Sequence, residues 1–128
     1  MTGDCNRIIY NILLEYGSGR TLADLIKKSG GRGLSESDVR CYTRHILEGL
    51  DCVHSSGYVH RALKPENIII VSISPGTGTK YVAKVGDFGL AKTEKQMRKM
   101  MTMSKSYKLR GNIRCSSPEM VVDRGLQQ

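Results

Sequence analysis

The chain has little aromatic character, 5% of its 128 residues, and nowhere an apolar run near the roughly 20 residues that a membrane span needs. No membrane partner is expected. The first residues, Met1-Thr2-Gly3-Asp4-Cys5, carry no basic segment followed by an apolar one, so no secretory signal is visible. Cys5, Cys41, Cys52 and Cys115 fall at no metal-ligand spacing. Without a secretory signal a disulfide framework has no support, and the four read as free thiols in a reducing cytoplasm or nucleus. No internal repeat or linker is evident in the sequence.

What is there reads as one globular domain, with 39% hydrophobic and 25% charged residues. The formal net charge of +8 raises the question of nucleic acid. Much of that charge lies between Lys92 and Arg110, in Lys95, Arg98, Lys99, Lys105 and Lys108, where Tyr107 is the lone aromatic. With no stacking platforms and no groove-reading motif, no nucleic-acid partner is expected.

Along the chain, Asn6 to Tyr16 is rich in β-branched and aromatic residues and reads as a strand ending at Gly17-Ser18-Gly19. Thr21 caps a short amphipathic helix over Leu22 to Lys28, with Asp24 three residues on, and Ser29-Gly30-Gly31-Arg32-Gly33 ends it. Ser35 caps a longer helix, followed by Asp38 and by Val39, Tyr42, Ile46, Leu50 and Val53 at helical spacing. Arg44, Glu48 and Asp51 fall on its solvated face, His45 reads as structural or exposed, and His54 suits the helix C-terminus. Gln96 to Ser106, methionine-rich and densely charged, reads as a mobile loop.

The stretch from Val59 to Gly89 organises the rest. Val59-His60-Arg61-Ala62-Leu63-Lys64-Pro65-Glu66-Asn67 precedes the aliphatic run Ile68 to Val71, and Val82 to Val85 precedes Gly86-Asp87-Phe88-Gly89. Between the two runs, Ser74-Pro75-Gly76-Thr77-Gly78 has the composition of a hairpin turn. The hairpin brings Asn67 and Asp87 together, and an amide oxygen beside a carboxylate suits magnesium held partly by substrate phosphates. Lys64 adds a cation nearby.

In order, these residues resemble the catalytic loop and the Asp-Phe-Gly metal loop of eukaryotic protein kinases. His60, Arg61, Leu63, Lys64, Pro65, Asn67, Asp87, Phe88 and Gly89 match; Ala62 stands where the family has its catalytic Asp. Lys64 at its place after that position marks the serine/threonine class. Leu14-Glu15-Tyr16, Ser35 to Arg40 and Leu47 to Leu50 are similar to plant mitogen-activated protein kinase kinase kinases. The resemblance implies an α+β, kinase-like fold over residues 1–128, a partial domain running from the last N-lobe strand and hinge through the upper C-lobe to the activation segment. It implies ATP and Mg²⁺ as cofactors and a protein substrate or kinase partner. Asn67 and Asp87 would hold metal, Lys64 the transferring phosphate, Ile69 the underside of adenine, and Leu14, Glu15 and Gly17 the hinge contacts. His60 would pack on Phe88.

The resemblance also implies an activation loop after Gly89, closing at Leu109 to Glu119, with Thr93, Thr102, Ser104 and Ser106 as candidate phosphosites and Arg61 as the matched phosphate partner. Asn112, Ile113 and Cys115 depart from the family's pattern there. The family's glycine-rich loop and strand lysine would lie before Met1, and its large buried C-lobe helix after Gln128. The chain therefore reads as the middle of a kinase domain, with weak nucleotide binding and an apolar patch exposed on the long helix. Impaired catalysis, a pseudokinase-type binding module and a truncated gene product without function are the alternatives.

Overall fold

The computed structural model describes residues 19–73 and 80–103, together with Cys115 and Pro118. In order, these form β1 (Arg20–Thr21), α1 (Leu22–Lys28), α2 (Glu36–Ser55), β2 (Tyr58–Val59), β3 (Ile68–Ser72), β4 (Tyr81–Val85), β5 (Lys92–Thr93) and α3 (Glu94–Met103). One antiparallel sheet has the order β1-β3-β4, and β2 pairs antiparallel with β5 as a second, two-stranded sheet.

Both early helices start where their caps place them. Thr21 and Asp24 form a reciprocal capping box, Thr21 Oγ1 accepting from the Asp24 N–H at 3.2 Å and Asp24 Oδ2 accepting from the Thr21 N–H at 3.0 Å. The two hydrogen bonds from Thr21 hold the Asp24 carboxyl below the usual carboxylate range. Ser35 Oγ accepts from the Asp38 N–H at 3.1 Å at the head of α2. Of the helical stripe on α2, Tyr42 is buried, Ile46, Leu50 and Val53 are half-buried, and Val39 is exposed. The stripe faces β4, and Ile46 and Val85 pack against a core made by Tyr42, Ile68, Ile70 and Ala83. Leu47, 61% exposed, and Val39, 48% exposed, leave apolar surface on α2. His45 Nδ1 accepts from the Ala83 N–H at 3.3 Å, so this histidine ties α2 to β4.

The hairpin strands pair in register from Ile68↔Val85 to Ser72↔Tyr81; the turn that joins them lies outside the described residues. So does the strand expected over Asn6 to Tyr16. Gly19 is required at the entry to β1, because any side chain there would collide with the Ile70 carbonyl oxygen.

The mobile loop expected from Gln96 onward is corrected by α3. Thr93 and Gln96 repeat the capping box seen at Thr21: Thr93 Oγ1 accepts from the Gln96 N–H at 3.3 Å, and Gln96 Oε1 accepts from the Thr93 N–H at 3.0 Å. Glu94 in the first turn suits the helix dipole and approaches Arg98 at 3.8 Å one turn on. The Glu94 N–H also donates to the Gly57 carbonyl at 3.2 Å, fastening the head of α3 to the turn after α2. Removing the cap by Thr93→Ala is expected to cost about 0.5–2 kcal/mol locally. A ten-residue surface helix has little reserve against that loss. The expected readout is a fall in the far-ultraviolet dichroism at 222 nm on the order of that helix's share; an unchanged spectrum contradicts it.

Candidate active site

The site is built around one buried ring. His60 follows β2 and is 2% exposed. Its Nδ1 accepts from the Ala62 N–H at 3.2 Å, so the proton sits on Nε2, which donates to the Gly86 carbonyl at 2.9 Å. The ring meets Phe88, the chain's one phenylalanine, edge to face with centroids 4.7 Å apart. A single imidazole thus joins the loop after β2 to the loop after β4.

A second tie runs through Asn67, which ends the short 3-10 turn Pro65–Asn67 and is buried. Its Nδ2 donates to the Ala62 carbonyl at 2.8 Å, and its Oδ1 has no hydrogen-bond partner among the described residues. Its own carbonyl accepts from the Gly86 N–H at 2.8 Å. Ala62, Asn67 and Gly86 are therefore locked together, with Asp87 the next residue along. Asp87 is exposed and left-handed at φ 59°, and its Oδ1 accepts from the Gly89 N–H at 3.3 Å. Arg61 is also left-handed, at φ 67°, with Nη1 donating to the Leu90 carbonyl at 3.4 Å.

Lys64 is half-buried at the head of the 3-10 turn, its carbonyl accepting from the Asn67 N–H at 2.9 Å. Ile69 lies half-buried on β3, its δ-methyl so close to Gly86 that a Cβ there would sit 3.1 Å away. The structure brings Ala62, Lys64, Asn67, Ile69 and Asp87 into one neighbourhood. Leu14, Glu15 and Gly17 lie outside the described residues. Thr93 serves as the cap of α3, and the exposed Thr102 donates its hydroxyl to the Arg98 and Lys99 carbonyls. Ser104 and Ser106 lie outside the described residues.

Chemically, the neighbourhood offers an amide oxygen, a carboxylate and an ammonium, all hard groups suited to phosphate and a divalent cation. At Ala62 it offers a methyl, which can neither accept nor give a proton. The ties from His60 to Ala62 and Gly86 carry no signal in the residue pattern, because they join side chain to backbone across loops.

The family model described as the protein kinase domain matches residues 5–127. The chain belongs to the protein kinase domain family. Mitogen-activated protein kinase kinase kinase 20 of Arabidopsis thaliana is 36% identical over 94% of the chain and 37% of its own length. Mitogen-activated protein kinase kinase kinase 17 of the same plant is 44% identical over 66% of the chain and 21% of its own length. A probable serine/threonine-protein kinase PknB of Bifidobacterium longum is 36% identical over 92% of the chain and 15% of its own length. The chain thus spans little more than a third of the relative it covers best among these three. The fold is the mixed α+β arrangement of a kinase domain in part, and serine/threonine kinases are among the chain's relatives.

Proposed function

We propose that these 128 residues carry the nucleotide- and metal-facing half of a serine/threonine kinase site, without the phosphate-cradling loop, so that they bind magnesium-ATP weakly, and without the general base, so that they transfer phosphate at most in traces. The observation behind this reading is Ala62. Its N–H is held by His60 and its carbonyl by Asn67, so the loop that would present a base is kept in place around a methyl group.

The donor set fits the implied cofactors. Asn67 Oδ1 and the Asp87 carboxylate are the groups that would hold magnesium, Lys64 would face the transferring phosphate, and Ile69 would lie beneath adenine. Magnesium, when bound, neutralises and bridges phosphate oxygens. Leu14, Glu15 and Gly17 take the hinge role by family likeness alone. Free, exposed Cys41, Cys52 and Cys115 fit the proposed reducing compartment, cytoplasm or nucleus. Without a base, the surface that remains suits a non-catalytic module engaging a kinase partner.

The 128 residues contain no G-x-G-x-x-G loop to cradle the phosphates. Isothermal titration of the chain with magnesium-ATP is therefore expected to show weak binding or none. Micromolar affinity overturns this reading.

A further inference from the structure

α3 carries a pattern that the candidate active site does not use. Met97, Met100 and Met101 recur at i, i+3 and i+4, one face of a helix, while Lys95, Arg98, Lys99 and Thr102 recur at the same spacing about 200° round from it. Apolar and cationic groups are thus sorted onto opposite faces. The cationic face stands in solvent, Lys95, Arg98, Lys99 and Thr102 all being exposed, whereas Met97 and Met100 are half-buried. Cover for the methionine face is short. α3 packs on β5, whose two residues span about 7 Å against about 15 Å for the helix, and its head is tied to the Gly57 carbonyl through the Glu94 N–H.

The charge keeps one sign well beyond the helix. From Lys95 to Pro118 every charged residue is a lysine or an arginine, and Lys92 precedes α3. Among the described residues, Lys95 and Lys99 have no ion pair, and Arg98 has the 3.8 Å approach to Glu94. Four of the chain's six methionines fall within α3, so its apolar face is made of the side chain whose flexible stem and polarisable sulfur adapt best to an irregular apolar surface. That choice discriminates between partners. A lipid surface calls for Trp, Phe or Leu on the apolar face and a nucleic acid for stacking aromatics, and α3 has none of these.

We infer that α3 is a recognition helix for an acidic protein partner that offers an apolar, helix-binding groove. The methionine face enters the groove, and Lys95, Arg98 and Lys99 meet its acidic rim. Charge complementarity chooses an acidic partner, and the methionine stripe requires that it be grooved as well as acidic. None of these residues belongs to the nucleotide- and metal-facing set, so binding is expected from a chain that transfers no phosphate.

The probe is dansyl-labelled calmodulin, which with Ca²⁺ opens an apolar groove in an acidic surface and without Ca²⁺ keeps the groove closed. Titrated with the 128-residue chain, the calcium-loaded form is expected to bind saturably, at least about tenfold more tightly than the calcium-free form. Changing Met97→Gln together with Met100→Gln should weaken binding about tenfold, and Lys95→Gln together with Lys99→Gln about two- to tenfold. Glutamine ranks with methionine and lysine as a helix former, so both variants should keep α3, which dichroism at 222 nm checks. Two comparisons need no variant. No binding to the calcium-loaded form, or equal binding to both forms, overturns the proposal. So does polyglutamate displacing calmodulin as well as unlabelled calmodulin does, which makes α3 a patch of charge alone. Vesicles of phosphatidylserine and phosphatidylcholine that sediment the chain and displace it from calmodulin overturn it too, in favour of a membrane surface.

Discussion

Phosphate incorporation into a protein substrate should rise about 10²- to 10⁴-fold when Ala62→Asp is introduced into a chimera that supplies the phosphate-cradling and C-terminal kinase segments from a relative. Four proteins are compared by radiolabelled transfer: the chain, the chain with Ala62→Asp, the chimera, and the chimera with Ala62→Asp. The first two are expected to show nothing, because positioning and electrostatic stabilisation of the phosphates dominate this reaction. The chimera retaining Ala62 should bind nucleotide but transfer only traces. Only the fourth should turn over substantially, since Asn67 and His60 already hold both backbone groups of residue 62 where a base belongs. Robust transfer by either protein that keeps Ala62 would falsify the assignment of this position as the lost base.

The second large effect is on stability. His60→Ala removes a ring that is 2% exposed, leaves the Ala62 N–H and the Gly86 carbonyl without their partner, and opens a void beside Phe88. Orphaned polar groups and a cavity together cost roughly 2–4 kcal/mol, a large part of the roughly 5–15 kcal/mol that stabilises a typical domain. Urea denaturation should show that drop at unchanged slope. His60→Phe keeps a ring against Phe88 and loses only the polar ties, so it should fall between the two. A His60→Ala change below about 1 kcal/mol would show that the two loops hold together without the ring.

Much of the scaffold was legible because it is local. Thr21 with Asp24 and Ser35 with Asp38 announce their helices through side chains that bond three residues ahead, and the aliphatic runs at Ile68 and Val82 announce the hairpin strands. Thr93 with Gln96 announces α3 by the same device, and the charged, methionine-rich composition beyond it masks that signal. β1, β2 and β5 are two residues each, too short for any alternation to show. The juxtaposition of Asn67 with Gly86 and Asp87 follows from hairpin pairing, whereas the ring that braces it does not. His60 reaches Gly86 across 26 positions of sequence, and its partners are backbone atoms that every residue carries.

The left-handed backbone at Arg61 and Asp87 has one further meaning. Glycine adopts that conformation freely, while a side chain there costs on the order of 1 kcal/mol, less for aspartate than for arginine. Were backbone shape the sole requirement, glycine would give the same bend at lower strain. The chain instead keeps a guanidinium at one bend, donating to Leu90, and a carboxylate at the other, facing solvent. The strain is thus a signature of side-chain use: these two turns are bent to aim chemical groups, one on either side of the loop that carries Ala62.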